Sequence, residues 1–481
     1  MLKKIGIKNF KAFKEKTIIE LDTLNIISGI NSSGKSSIYQ SLFLILQSLE
    51  AEINYENSKV NFLKNGKYFD YGPALNIQHD LNNPDIEFYF EWEDNKKLTN
   101  IYSLIEIKTK TKKSEEMKKL FVLKESKYEE DGKYYIIKRN ENKKWDIEAN
   151  NILMFQAPVM NRVIQECLLE NTDSKELNGN AEYNELVKFK NVEIKTKNHM
   201  LDSFIIKDND ILVCLNEETK KIFRLDFFKE KIISELKEYG DENLVLITSI
   251  NTHIFEDLID YIPPFRGLPK RIYLEETPLD GYELNIDKTV LYDFDFNQKK
   301  IKRASLEEAL KYWLVDKLKI VDEIFIKEDY DLEIKQIIVK NNDKQLPLPC
   351  VGFGVSQIVP VIYKVLSSEK DIIIIDEPEI HLHPKIQSEL AEFFYKISKT
   401  KKKLIIETHS EYILQKIIYL KLKYKLENDL KMYWVEKENN GSRLKGIEYD
   451  DLGYVLNAPE DFLSERDKLL KELSKLRLEL I

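Results

Sequence analysis

One eight-residue stretch, Gly29-Ile30-Asn31-Ser32-Ser33-Gly34-Lys35-Ser36, limits the fold of this chain more than any other. It fits G-x-x-x-x-G-K-[ST]. A short apolar run, Leu24 to Ile27, precedes it, and a helical period with Ile38, Leu42, Ile45 and Leu49 on one face follows. Strand, glycine turn and helix are the context a phosphate loop requires. The glycines admit a tight turn whose backbone N–H groups point at phosphate oxygens, and the next helix adds its positive end. Gly29, Asn31, Ser32, Ser33, Gly34, Lys35, Ser36 and Ser37 are the candidate cradle. Lys35 would reach the β- and γ-phosphates, and the Ser36 hydroxyl would ligate Mg²⁺.

Far downstream, Ile372-Ile373-Ile374-Ile375 runs straight into Asp376-Glu377. Four apolar residues suit a strand buried in a parallel sheet. Two acids at its end lie at the sheet edge where ligands bind in open α/β folds. Asp376 would hold the metal or its water, and Glu377 would orient and deprotonate an attacking water. A second buried strand, Leu404-Ile405-Ile406, leads to Glu407-Thr408-His409-Ser410. A histidine at that strand end can reach a γ-phosphate. Between these elements and the first loop lies Gly352-Phe353-Gly354-Val355-Ser356-Gln357, a glycine-rich turn before a helix read over residues 358–366. The start of that helix and the Ser356 hydroxyl would suit an anion. Pro384 is placed to open another helix, continuing to about Ser398, with His381 and His383 as turn residues ahead of it.

The remaining chain supports a large α/β protein. Its 481 residues are 43% hydrophobic and 33% charged, ample for a core. A formal charge of −9 argues against a general polyanion binder. Basic clusters at Lys108 to Lys113 and Lys401 to Lys403 read as solvated loops that could still meet nucleic acid. Cys167, Cys214 and Cys350 are too few and too scattered for a disulfide framework or a cysteine zinc site, which favours a reducing cytoplasm. No apolar run is long enough for a membrane span. Alternation over Ile86 to Trp92, Tyr134 to Lys138 and Ile211 to Leu215 predicts strands, whereas Phe228 to Tyr239 has helical spacing. No sustained heptad supports a long coiled coil. Tyr261 to Pro269 is the densest Pro/Gly stretch and reads as a junction. The division read from the sequence is 1–100, 101–260, 261–458 and 459–481. In the last segment Leu469, Leu470, Leu473 and Leu476 form an apolar stripe.

These elements, in this order, resemble the ABC-type ATPases of the RecF/SMC/OLD group. Gly29–Ser36 looks like their Walker A, Asp376-Glu377 their Walker B, Gly354-Val355-Ser356-Gln357 a degenerate signature, and His409 the switch histidine. The blocks at 352–360, 376–384 and 407–411 are similar to those of bacterial predicted AAA-family ATPases with a small C-terminal domain of unknown function. Related chains serve as ATPase subunits in anti-phage defence, including the Septu type. The resemblance implies an ABC-type P-loop head, a mixed sheet with flanking helices. It would carry a large α+β insertion and a short C-terminal helical extension. It also implies ATP and Mg²⁺, and a homodimer or higher oligomer sandwiching ATP between the Walker A of one copy and the signature of the other. An effector, nuclease or toxin, would be encoded nearby. The Q-loop residue, a further metal ligand in such heads, is Gln78 or Gln47, with Gln78 preferred. A RecF-type repair ATPase and an OLD-like nuclease are the alternatives. The second is weakened because no nuclease-like acid pattern follows His409.

Overall fold

The structure is a computed structural model. It describes residues 1–53, 66, 68–110, 115–139, 145–149, 203–207, 210–214, 222–224, 258–266, 269–274, 288–329, 331–332, 334–400, 402–424, 429–450 and 453–457. The Phe228–Tyr239 and C-terminal stripe expectations lie outside these residues. Two compact units emerge: Met1–Ile19 with Ser37–Glu256, and Glu20–Ser36 with Asp257–Ile481.

The strands are β1 (Leu2–Lys8), β2 (Thr17–Glu20), β3 (Leu24–Gly29), β4 (Asp85–Trp92), β5 (Lys97–Lys110), β6 (Glu115–Glu130), β7 (Lys133–Arg139), β8 (Trp145–Ala149), β9 (Ser203–Lys207), β10 (Asp210–Cys214) and β11 (Ile222–Arg224). All but β3 form one ten-stranded sheet, ordered β11-β10-β9-β8-β7-β6-β5-β4-β1-β2. Alternation is the reason it forms. In β4, Ile86, Phe88, Phe90 and Trp92 are buried and the residues between them are half-buried. The step from residue 100 to 101, where the sequence suggests an insertion begins, lies inside β5, and ladders to β4 and β6 flank it. The sheet therefore continues across that point. Helix α1 (Ser37–Ile53) belongs to this unit and packs Phe43 against Tyr68 and Phe69, ring centroids 5.0 and 5.4 Å apart.

The second unit contains β3 with β12 (Ile259–Ile262), β19 (Ile372–Asp376), β20 (Lys403–Glu407), β21 (Leu430–Glu438) and β22 (Gly441–Gly446), ordered β12-β19-β20-β3-β21-β22. All neighbours are parallel except β21–β22. Every residue of β3, β19 and β20 is buried, as continuous apolar runs require in a sheet covered on both faces. Between β12 and β19 lie the minor strands β13 (Tyr273–Leu274), β14 (Thr289–Asp295), β15 (Lys300–Ser305), β16 (Glu323–Asp329), β17 (Ile334–Asn341) and β18 (Lys344–Pro347). Helices α2 (Leu306–Lys311), α3 (Phe353–Ser367), α4 (Pro384–Ile397) and α5 (Glu411–Tyr424) share one core with Leu24, Ile26, Ile373, Ile375, Leu404 and Ile406. Trp313 anchors it edge-on to Phe393 at 4.9 Å and donates its indole N–H to Tyr292 O at 2.6 Å.

Helix α3 begins at Phe353, earlier than its periodicity suggests, so Gly354 to Gln357 are helical and Gly352 is the N-cap. Pro384 opens α4, and His383 caps it by accepting the Lys385 N–H on Nδ1 at 3.3 Å. The basic run before β20 is not a solvated loop throughout. Lys402 Nζ donates to Val365 O and Leu366 O at 2.7 and 3.2 Å, capping the end of α3, and Lys403 is 2% exposed. Burial lowers the Lys402 pKa to about 8. Among the described residues, no helix is long and apolar enough to cross a membrane.

Candidate nucleotide site

Parallel strands β19, β20 and β3 are adjacent, so their C-terminal ends deliver Asp376, Glu407 and the Gly29 loop side by side. Asp376 pairs with Glu407 in register. The loop closes tightly over β21. A methyl group on Gly29 would sit 2.4 Å from Val435 O, and Ser32 and Gly34 turn with φ of 60° and 93°. Gly29→Ala is expected to push β3 and β21 apart, lowering stability by about 1–3 kcal/mol and weakening ATP binding. Thermal unfolding with and without ATP checks this.

Lys35 is 4% exposed. Its Nζ donates to Gly29 O and Ile30 O at 3.3 and 3.0 Å and lies 3.8 Å from Glu407 Oε1. Burial lowers its pKa, against an opposing pull from Glu407, Glu377, Asp376 and Glu379. Ser33 Oγ is buried and accepts or donates no hydrogen bond, while the Ser33 carbonyl accepts from the Ser442 hydroxyl. Asn31 and Ser32 are exposed, Ser36 is half-buried, and the chain enters α1 at Ser37.

At the end of β19 the backbone turns sharply. Glu377 has φ of 42°, a left-handed conformation that costs a non-glycine residue about 1–3 kcal/mol. Its N–H donates to Glu407 O at 2.9 Å, and its Oε1 lies 3.5 Å from His409 Nε2. Burial lowers the His409 pKa, nearby Lys35 lowers it further, and Glu377 raises it in part. A neutral imidazole at pH 7 follows. The His409 N–H donates to Glu379 Oε1 at 2.6 Å. Glu379 itself is held above the usual carboxylate range, mainly by burial, and its Oε2 is buried without a hydrogen-bond partner.

The signature-like residues are arranged less simply. Gly354 is needed because a Cβ there would lie 2.9 Å from His381 O. Ser356 is 2% exposed and its hydroxyl donates back to Phe353 O at 2.8 Å, so the start of α3 presents backbone rather than that hydroxyl. Gln357 is buried with Nε2 unpartnered, and Phe353 is exposed with its ring edge-on to His381 at 4.6 Å. Gln78 and Gln47 belong to the first unit. The Gln78 amide nitrogen donates to Asp80 O and Asn83 O, and its oxygen is buried without a partner. Gln47 uses both amide atoms on the Phe69 backbone at 3.3 Å.

The sequence model of the AAA ATPase domain matches residues 1–414. The chain belongs to that family. No curated protein matches it. Among solved structures, it is similar to the Smc head domain with an extended coiled coil, bound to the C-terminal domain of ScpA, from Pyrococcus furiosus. That pair is 12% identical with a TM-score of 0.38, covering 99% of each chain. An SMC head domain from Thermotoga maritima is 10% identical, TM-score 0.29, covering 93% of this chain and 99% of that one. The SmcHead bound to the C-winged helix domain of ScpA is 10% identical, TM-score 0.37, covering 94% and 98%.

The residues of this ATPase domain fit a metal-bound triphosphate. Asp376, Glu377, Glu379 and Glu407 gather around two cations, Lys35 and Arg266, a surplus of negative charge that a divalent ion would offset. Ser36 and Asp376 offer hard oxygen donors suited to Mg²⁺. Glu377, Glu407 and His409 bring donor atoms within 4.8 Å of one another. Three residues of the site escape the sequence reading. Glu407 reads as the end of an apolar strand, and the signal was a lone charge in a buried run. Glu379 is screened by the prominence of Asp376-Glu377. Arg266 lies in a Pro/Gly segment, and no local pattern ties it to β19.

Proposed function

We propose that this chain binds ATP with Mg²⁺ and hydrolyses it. The loop from Gly29 to Ser36 cradles the phosphates and Lys35 offsets their charge. Ser36 and Asp376 would hold the metal. Glu377 takes the proton of the attacking water, and neutral His409 stays close enough to orient it. The observation that carries this reading is the meeting of Lys35, Glu377, Glu407 and His409 within hydrogen-bonding and ion-pair range at three adjacent parallel strand ends. Clustered carboxylates beside a buried lysine serve phosphoryl chemistry by positioning and electrostatics.

The fuller reading is a homodimeric switch in the cytoplasm. ATP would be sandwiched between the loop of one copy and the start of α3, with Gly354, Ser356 and Gln357, of the other. Its role would be the ATPase or sensor subunit of a bacterial anti-phage defence system with a separate nuclease or toxin effector. The similarity of the 352–360, 376–384 and 407–411 blocks to such ATPases supports this. Mixing two inactive proteins tests the sandwich. Lys35→Ala removes the cradle, and Ser356→Arg fills the start of α3 with bulk and charge. Equal mixing should give about half heterodimers, each with one intact composite site, and partial activity should return. Full activity in the Ser356→Arg homodimer would reject the role of α3.

A further inference from the structure

We propose that Arg266 is a positioning residue that holds the Glu377 carboxylate in its working orientation. The inference rests on Glu377 being the catalytic base. Arg266 lies just beyond β12, the strand that pairs with β19. Its side chain is buried, and one terminal nitrogen, Nη2, donates to Asp376 O at 3.2 Å and to Glu377 O at 3.1 Å. Both peptide groups flanking the Glu377 Cα are therefore fixed, one on each side of the residue. Tyr261, from β12 itself, donates its hydroxyl to Asp376 Oδ2 at 3.2 Å, so one short segment grips both the backbone and the side chain of the acid pair.

The grip matters because of the conformation it acts on. Glu377 has φ of 42°, which an L-residue leaves unless its surroundings hold it. Relaxed to ordinary extended backbone, the same residue would turn its Cβ to another direction. Its carboxylate would then leave the neighbourhood of His409 Nε2. Within the turn the Ile380 N–H also donates to Glu377 O at 3.3 Å, and two interactions from beyond it oppose that relaxation: the Glu377 N–H on Glu407 O and the Arg266 nitrogen on the two carbonyls. The first only continues the β19–β20 ladder. The second comes from outside the ladder and acts on both sides of the turn. A guanidinium suits the task because it remains charged even here, where burial lowers its pKa to about 10. Its attraction to Glu379, Asp376 and Glu377 keeps it in place.

The test is a double-mutant cycle on the full chain with labelled ATP and Mg²⁺. Arg266→Ala should bind ATP within about threefold of wild type and lose about 10- to 100-fold in turnover, the scale of a misplaced catalytic group. Glu377→Gln removes the base that Arg266 positions. The double variant should therefore turn over no more slowly than Glu377→Gln alone, because both changes remove one function. A double variant slower by the product of the two single losses would overturn the proposal, since a general structural role multiplies. Arg266→Lys keeps a buried cation and guards against misfolding of the alanine variant. It should retain the melting temperature and lose about 3- to 10-fold in turnover. A folded Arg266→Lys or Arg266→Ala protein with wild-type turnover also overturns it. The outcomes separate this inference from the ATPase reading. If wild type hydrolyses ATP and Glu377→Gln does not, yet the Arg266 variants are normal, only the positioning role fails. If Glu377→Gln is normal, the base is elsewhere.

Discussion

Glu377→Gln is expected to bind ATP as wild type does and to hydrolyse it at least about 10²-fold more slowly. Glutamine keeps the size of the side chain and can keep the backbone turn, because the hydrogen bonds on the Asp376 and Glu377 carbonyls and on the Glu377 N–H do not involve the carboxylate. What it removes is a group able to take a proton. In the proposed mechanism ground-state binding resides mainly in the loop, at Lys35 and Ser36, so affinity should move little. The loss should then appear in turnover, the sign of an interaction used only in the transition state. Equilibrium binding and single-turnover hydrolysis measured on the same preparation check both halves. Unchanged hydrolysis would move the base elsewhere, and His409, 3.5 Å away, is the first alternative.

The central sheet was legible because its strands carry a strong local signature. Ile372 to Ile375 and Leu404 to Ile406 are unbroken β-branched or leucine runs, and such runs occur where both faces of a parallel sheet are covered. The tight turn at Gly29 to Ser36 was legible because such a turn leaves few residue choices, and the 2.4 Å approach of Val435 O to a Gly29 Cβ shows why. The strand order was not legible. That β20 lies between β19 and β3 depends on long-range pairing, which no local pattern encodes. For the same reason Arg266 escaped notice, since its partners are 110 and 111 residues away in sequence. Ser356 marks a different limit. Its residue type suits an anion site, but in a helix a serine hydroxyl can bond to a carbonyl one turn back, and here it does. Residue type limits what a side chain can do, while its rotamer and surroundings decide what it does. The basic run at Lys402-Lys403 makes the same point, with charges that read as solvated although Lys402 is half-buried against the end of α3 and Lys403 is buried in β20.

Lys35→Ala is expected to reduce ATP affinity by about 10²-fold or more, equivalent to about 3 kcal/mol, the scale of a charge-assisted hydrogen bond removed with no substitute nearby. The surroundings make the effect large. Lys35 is buried, and its ammonium is kept near the loop by the Gly29 and Ile30 carbonyls. Four carboxylates lie close enough to raise its pKa against burial. Without the lysine those carboxylates face an anionic triphosphate with one fewer cation between them, so repulsion adds to the missing attraction. A second readout requires no nucleotide. Lys35 is one of the causes that lower the His409 pKa, so removing it should raise that pKa and increase the protonated fraction at neutral pH. The sign is fixed: loss of a neighbouring positive charge favours the charged imidazole. An NMR titration of His409 in wild type and Lys35→Ala measures the shift directly. A raised His409 pKa with wild-type ATP affinity would show that Lys35 lies beside the strand ends but does not carry the phosphates. An unchanged pKa and unchanged affinity would separate the loop from the β19–β20 acids altogether.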